Sequence, residues 1–379
     1  MSTPAELRAA LVDRLTADGA LTDPAWRAAA AAVPRETFVP EYFLPVPASA
    51  PTAYVPVLCD NPGRLEGVYR DQTLVTQLDG HLSPSDVQGP VAGAPSSSST
   101  LPSLVLGMWQ QLDVEAGHRV LEIGTGTGYS TALGAHRLGE QNVVSVEVDP
   151  EIGARAAEAV KAAGYSPTLV IGDGLAGYAD GGPYDRLIAT CSVRHLPLPW
   201  LHQVRPGGRI LATFTGWSFA FGLALLTVTG PGCASGRFLP GYVNFMVARP
   251  HDRPPRQPVT LLSGDARPSE IDPAILGDWT GKWVAQLAAP SAEIIGAGDQ
   301  QILVDFATGS HARTTPNPDG GWTVTQRGPL RLWDQAEAAI QAWQQHGAPH
   351  QEGFGITVDG DGQRVWIGTE EGPTWNLPI

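Results

Sequence analysis

The run Val120-Leu121-Glu122-Ile123-Gly124-Thr125-Gly126-Thr127-Gly128-Tyr129 constrains the fold more than any other segment. HRVLEIG reads as a short buried strand, and YSTALGAHRLG, beyond the glycines, reads as a helix. A strand, a glycine turn and a helix in direct succession are the opening of an α/β unit. Glycines at alternate positions let the backbone come close to a ligand without Cβ clashes. The helix start that follows presents unpaired N–H groups.

The rhythm continues downstream. NVVSVEVD, PTLVIGDG, YDRLIATC and GRILATF read as strands, with PEIGARAAEAVKAAG and WLHQV as helices between them. Strands alternating with helices predict a parallel sheet with right-handed crossovers and helices on both faces, a Rossmann-like α/β fold. FGLALLTVTG and YVNFMVARP are expected to close the same sheet. LPSLVLGMWQQL is expected as a helix before the first strand.

Upstream, residues 5–32 read as two helices, and VPRETFVPEYF completes an N-terminal cap over residues 1–43. Residues 44–97 are rich in Pro, Gly, Ser and Asp and read as a long loop, with one extended run near Thr73–Gln77. PHDRPPRQP, residues 250–258, reads as a linker. The expected domains are therefore 1–250 and 251–379. The second reads as a smaller α+β domain, with strands at Gln301–Phe306 and Trp322–Gln326, a helix at Asp334–Gln345 and a hairpin turning at Asp359–Gly362.

Composition narrows the partners. The formal net charge is −14 over 379 residues. Both expected domains are acidic, and no Lys/Arg run supplies the basic patch that phosphate binding needs, so nucleic acid is not the expected substrate. Three cysteines, Cys59, Cys191 and Cys233, form no C-x-x-C pair, so no structural metal is expected and a reducing, cytoplasmic setting is. No continuous apolar stretch approaches a membrane span.

Three features suggest the ligand. The turn is G-x-G-x-G, not the G-x-G-x-x-G of dinucleotide folds, because Tyr129 stands where the last glycine would fall. Glu147 ends the next strand, where an acid can take both ribose hydroxyls; Asp149 competes for that role. Gly172-Asp173-Gly174 follows the third strand, and its Asp can accept a hydrogen bond from an adenine amino group. All three fall at strand C-terminal ends, where open α/β sheets bind ligands. The pattern fits S-adenosylmethionine (SAM), with its methionine carboxylate on the glycine turn and S-adenosylhomocysteine (SAH) as product.

VLEIGTGTGYSTAL is similar to the first motif of protein-L-isoaspartate O-methyltransferases. GDGLAGY followed by PYDRLIAT (residues 172–190), VPRETFVPEYF and RPGGRIL resemble further signatures of that family. The resemblance spans roughly residues 5–215. It implies a SAM-dependent enzyme that esterifies the α-carboxylate of isoaspartyl residues, after which the ester closes to a succinimide. It carries SAM binding to Gly124, Gly126, Glu147 and Asp173, and by neighbourhood to Glu122, Thr125, Gly128, Tyr129, Val148 and Gly174.

The chain departs from the family where substrate is held. The family's Q-T-I-S-Q-P becomes Ser97-Ser98-Ser99-Thr100-Leu101-Pro102, and its A-A-A-P becomes Cys191-Ser192-Val193-Arg194. Ser98, Ser99 and Thr100 are the candidate catalytic residues, orienting an acceptor carboxylate. The C-terminal extension is expected to be foreign to the housekeeping enzyme and to serve substrate recognition. A serine-rich loop with an added domain is similar to actinobacterial relatives that mature ribosomally made peptides (lanthipeptides, graspetides). The implied partner is an Asp-containing peptide or protein, including a modified precursor peptide. Arg194 reads as an anion-steering or a solvated arginine, Trp217, Phe219 and Phe221 as an aromatic wall or core, and His195 and His202 as structural or exposed.

Overall fold

The structure, a computed structural model, describes residues 2–47, 52–256, 258, 263–295 and 300–379. Residues 48–51 of the expected loop and 257 of the expected linker lie outside these. The chain divides into two compact units: Met1–Thr190 with Pro197–Leu211, and Cys191–Leu196 with Ala212–Ile379. The division falls inside two strands, not near residue 250. No helix among the described residues is long and apolar enough to cross a membrane.

The first unit opens with α1 (Pro4–Ala17) and α2 (Pro24–Ala32). Thr3 and Glu6 form a reciprocal capping box on α1, and Asp23 caps α2 ahead of Pro24. A short helix α3 (Arg35–Phe38) follows. The stretch expected as a loop is instead a small antiparallel sheet: β1 (Tyr42–Pro45), β2 (Ala53–Val57), β3 (Leu74–Leu78), β4 (Val91–Ala92) and β5 (Pro95–Ser99), with helix α4 (Arg64–Val68) between β2 and β3. Its order is β4-β2-β1-β3-β5. Phe43, Tyr54, Val75 and Leu78 form its own apolar cluster, closed by Leu82, Val87 and Val91. The extended run expected near Thr73–Gln77 is β3; the other strands are five residues or shorter and separated by turn formers, so they leave no period-2 run long enough to read as a strand.

The remainder of this unit is the expected α/β layer. It comprises α5 (Pro102–Gln111), β6 (Val120–Ile123), α6 (Tyr129–Leu138), β7 (Val143–Glu147), α7 (Pro150–Ala162), β8 (Thr168–Ile171), β9 (Tyr184–Val193), α8 (Leu198–Gln203) and β10 (Val204–Thr215). Strand order is β8-β7-β6-β9-β10, with β6 parallel to both β7 and β9. Strand order reverses at β6, so the switch point of a doubly wound, Rossmann-like sheet lies between β6 and β9. β6 and β7 are buried along their whole length, as parallel strands covered on both faces are. Trp26 of α2 stacks on Trp109 of α5 at 5.1 Å, tying the N-terminal helices to the layer.

In the second unit, β11 (Phe221–Gly230), β12 (Cys233–Phe238), β18 (Phe354–Asp359), β19 (Gly362–Ile367) and β20 (Thr374–Asn376) run antiparallel in the order β11-β12-β18-β19-β20. A second antiparallel sheet is built from β13 (Asp265–Ser269), β14 (Glu293–Ile294), β15 (Ile302–Asp305), β16 (Ser310–Pro316) and β17 (Trp322–Arg327), in the order β13-β17-β16-β15-β14. Helices α9 (Trp279–Ala288) and α10 (Leu332–Gln345) pack on each other, and α10 also packs on β15, β16 and β17. The expected strands at residues 301–306 and 322–326, the helix and the terminal hairpin are all present.

FGLALLTVTG is a strand as expected, but YVNFMVARP is not. It makes one bridge, Ser192 to Val247, in which Ser192 N–H donates to the Met246 carbonyl and Ala248 N–H donates to the Ser192 carbonyl. The partner of β11 is instead β12, whose Gly236 lies against the β11 backbone. A Cβ there would sit 2.1 Å from the Leu225 carbonyl oxygen and 2.7 Å from the Leu226 Cα. Backbone cannot give way as a side-chain tip can. Gly236→Ala is expected to lower unfolding free energy by about 1–3 kcal/mol, the usual cost of overpacking. Urea unfolding measures this, and an unchanged midpoint would contradict the close approach.

Candidate active site

At the switch point the backbone turns on Gly124, Gly126 and Gly128, with φ of 94°, 55° and 87°. Side chains rarely adopt this left-handed region. Gly128 has a packing reason as well: a Cβ would lie 2.8 Å from Val160 Cγ2. Gly124 N–H donates to the Val146 carbonyl of β7 (2.9 Å), and Gly128 N–H to the Thr125 carbonyl (2.9 Å). From β9, the Thr190 hydroxyl donates to the Gly124 carbonyl (2.5 Å). The turn is thus fixed from both neighbouring strands.

Glu147, at the end of β7, accepts Gly126 N–H on Oε2 (2.8 Å) and Asp149 N–H on Oε1 (3.0 Å). Its rival Asp149 is committed elsewhere: Oδ1 accepts the N–H groups of Glu151 and Ile152 and caps α7. Geometry therefore favours Glu147 over Asp149 for the acid beside the turn. Val148, the next residue, is 40% exposed, and Ile171 at the end of β8 is 51% exposed. Apolar side chains left uncovered at two adjacent strand ends suit a flat aromatic ligand. Asp173 is exposed, and its Oδ1 accepts Leu175 N–H (2.9 Å). Gly174 is held by Trp200, whose Nε1 donates to the Gly174 carbonyl (2.8 Å), and a Cβ at Gly174 would strike Ile123 Cγ2 at 2.5 Å.

Four side chains of the expected ligand set are buried: Thr125 (4% exposed) and Glu147 (7% exposed) in and beside the turn, and Glu122 and Tyr129 beneath it. Glu122 is fully buried, and its Oε2 accepts the hydroxyls of Ser145 (2.8 Å) and Thr131. Because it sits mid-strand in the covered parallel layer, it braces β6, β7 and α6 and offers no surface to a ligand. Burial holds its pKa above the ordinary carboxylate value, although its hydroxyl partners pull the other way. Tyr129 is also buried, against Phe38 at 5.8 Å, and burial pushes its phenol up to about 12. Both residues act from below the turn, a distinction invisible in a motif.

The three candidate catalytic hydroxyls do not act together. They lie at the end of β5 and just beyond it, and the strand's alternation separates them. Ser97 and Ser99 are buried; Ser98 and Thr100 are half-buried. Ser97 Oγ accepts from Thr76 (3.2 Å), and Ser99 lies against the Arg35 guanidinium. Ser99 is therefore a structural hydroxyl, not an acceptor-orienting one. Ser98 runs past the glycine turn, its carbonyl oxygen 3.5 Å from where a Gly126 Cβ would be. Arg35 itself, within VPRETFVPEYF, went unassigned from the sequence, because nothing there marks an arginine as buried.

In the second unit, Arg194 is half-buried and packed against an aromatic ring. Its guanidinium lies 3.9 Å over the Trp217 ring and donates to the Pro290 carbonyl (2.9 Å). Phe221 is core, stacked on Trp279, while Phe219 is 46% exposed, so no continuous aromatic wall forms. His195 Nδ1 lies 2.7 Å from the Pro378 carbonyl, and His202 is exposed, matching the structural-or-exposed expectation. Among the described residues no group of three or more His, Cys, Asp and Glu is arranged to hold a metal ion.

The buried Glu122 makes a pH prediction. Its folded pKa lies above the unfolded value near 4.5, so the native state binds the extra proton in that window. Stability from this group is then present at low pH and lost as pH rises through the folded pKa. Glu122→Gln removes the titration while keeping an oxygen for Thr131 and Ser145. Its urea midpoint should gain on the wild type as pH rises above the ordinary carboxylate value. Parallel pH dependence in the two proteins would refute the buried-carboxyl assignment.

Residues 85–215 match the model of the family "Protein-L-isoaspartate(D-aspartate) O-methyltransferase (PCMT)". A protein-L-isoaspartate O-methyltransferase of Ignicoccus hospitalis is 36% identical over 34% of this chain and 61% of its own length. One of Hyperthermus butylicus is 28% identical over 54% of this chain and 74% of its own. The chain spans about half to three-fifths of the length of the first curated relatives it matches. A solved protein-L-isoaspartate O-methyltransferase aligns with 96% of this chain and 100% of its own, with a TM-score of 0.56 and 20% identity. The C-terminal extension, expected to be foreign to such enzymes, thus has a counterpart in fold. The motif and the glycine turn lie within the matched segment, so residues 85–215 are similar to the protein-L-isoaspartate O-methyltransferase family where that family's first motif falls.

Proposed function

We propose that this chain is a SAM-dependent carboxyl O-methyltransferase that esterifies an aspartyl or isoaspartyl carboxylate in a peptide or protein. The observation that carries this reading is the Gly126 N–H bond to Glu147 directly beside Ser98 of β5. A turn suited to the cofactor and a hydroxyl-bearing strand suited to the acceptor meet at one glycine.

The donor set fits SAM by its chemistry. The start of α6 offers N–H groups to a methionine carboxylate, while the glycines, their own N–H groups already bonded, keep the turn open to its approach. Glu147 offers carboxylate oxygens to ribose hydroxyls, the exposed apolar pair Val148 and Ile171 offers contact to an adenine ring, and Asp173 with Gly174 offers an acceptor beside its amino edge. When bound, SAM supplies an electrophilic methyl on a sulfonium, which departs as neutral SAH.

The chain's own task is then modest. A carboxylate with a pKa near 4 is already ionised at pH 7, so no general base is required. The work left is alignment and exclusion of water, worth roughly 7–11 kcal/mol when geometry is tight. Ser98 and Thr100, the half-buried pair on β5 and its extension, orient the acceptor in this reading. The methyl ester then closes to a succinimide on the peptide itself, since methanol leaves far more readily than hydroxide.

Within this class, tailoring of a ribosomally made peptide at an ordinary aspartate is the finer reading. The departure at Ser97–Leu101, on the acceptor side only, supports it. General repair of isoaspartyl residues is the second reading, favoured by the names of the relatives.

Incubation with SAM and two peptides, one aspartyl and one isoaspartyl, separates them by mass spectrometry. A methyl gain or imide formation on the aspartyl peptide alone is the expected result. Reaction of the isoaspartyl peptide alone would establish repair, and no reaction of either would sink the carboxyl-methyltransferase reading. In calorimetry, Glu147→Gln should weaken SAH binding about tenfold, or 1.4 kcal/mol. Thr100→Ala should lower kcat and leave SAH affinity within twofold. A reversal of the two effects would show that the roles are misassigned.

A further inference from the structure

We infer that Arg35 is a positioning residue for methyl transfer: its buried guanidinium sets the acceptor-side segment Ser98–Thr100 against the glycine turn. This rests on the reading of that turn as the cofactor site.

Arg35 is 0% exposed. Nη1 donates to the carbonyls of Val68 (2.6 Å) and Arg70 (3.1 Å), and Nη2 to those of Gln72 (3.1 Å), Ser99 (3.3 Å) and Thr100 (3.2 Å). A buried arginine is ordinarily paired with a carboxylate. Here one planar fork gathers five carbonyl oxygens from two segments far apart in sequence. That arrangement uses the donor geometry of arginine, which lysine cannot reproduce. Burial pushes the Arg35 pKa down to about 10, which leaves it charged at neutral pH.

The two gathered segments are tied again just beyond the fork. Leu101 N–H donates to Thr73 Oγ1 (3.2 Å), and Ser103 N–H to Asp71 Oδ1 (2.9 Å). Residues 99–103 are therefore pinned along the 68–73 segment at successive points. Ser98, one residue before the first, is the residue whose carbonyl abuts Gly126. The guanidinium also lies 5.8 Å from the ring centroid of Tyr129, the first residue of α6. One side chain thus reaches the acceptor segment and the helix that begins at the turn. A shift of even 1 Å between acceptor and donor is enough to cost a large factor in rate.

The test compares wild type, Arg35→Lys and Thr73→Val by three readouts: calorimetry with SAH, steady-state methylation of the better peptide, and amide hydrogen exchange. Arg35→Lys should melt cooperatively and bind SAH within twofold of wild type. Its kcat should fall tenfold or more with little change in KM, and exchange should rise over residues 95–103 but not over 120–131. Thr73→Val loosens the same segment without touching the buried charge and should show the same split, with kcat down about threefold. SAH affinity falling in step with kcat, or unchanged exchange over 95–103, would overturn the inference. If Arg35→Lys does not fold, Thr73→Val decides alone, and an unchanged kcat refutes it. If wild type methylates neither peptide, the functional reading fails, while exchange over 95–103 still decides whether Arg35 sets the segment.

Discussion

The glycine turn rests on one buried carboxyl group. Glu122 Oε2 accepts Ser145 from β7 and Thr131 from α6, and Ser145 in turn lies 2.7 Å from the Thr125 hydroxyl in the turn. Because the Ser145 hydrogen is spent on Glu122, Thr125 must be the donor to Ser145. Strand, neighbouring strand, helix and turn are thereby joined by a chain of hydroxyls ending on one oxygen. The hydrogen bonds on Oε2 hold these elements in one arrangement, while Oε1 is buried without a hydrogen-bond partner. The turn needs that rigidity because its own residues, glycines at positive φ, supply none.

What the sequence made legible follows from period and punctuation. The parallel layer was readable because each strand is a short apolar run followed by a glycine or capped turn and a helix. The glycine turn, Glu147 and GDG stand out because each combines turn chemistry with a strand C-terminal end, where open α/β sheets bind ligands. Burial of individual polar groups was not readable. Glu122 looks like a ligand residue in a motif and is a brace in space; Ser99 looks like a neighbour of Thr100 and points the other way. Arg194 reads as a charge and turns out to be a stacking partner for Trp217. In each case the deciding fact is which side of a strand faces the core, set by partners distant in sequence.

The failure over residues 44–97 is of a different kind. β5 reads Pro-Ser-Ser-Ser-Ser and has no apolar side chain to bury and no β-branched residue. Its position comes from bonds that its sequence cannot announce. Ser96 Oγ accepts Gly80 N–H (2.8 Å) and donates to Gln77 (2.8 Å), Ser97 accepts from Thr76, and Arg35 holds Ser99 and Thr100. The apolar cluster of this small sheet lies on its other strands.

That division separates fold from specificity. A strand positioned by its core side chains cannot change them without losing its place. A strand positioned by backbone pairing, by hydroxyls and by a guanidinium gripping carbonyls can change side chains while the carbonyls stay where they were. Arg35 bonds mainly to main-chain atoms of Ser99 and Thr100, which exist whatever residues stand there. The acceptor side can therefore depart from the family at Ser97–Leu101 while Gly124, Gly126, Glu147 and Asp173 keep the family pattern. On the proposed reading, the cofactor side is constrained by the ligand it must fit, and the acceptor side by a brace indifferent to sequence. Methyl-acceptor choice is where such a scaffold is free to vary.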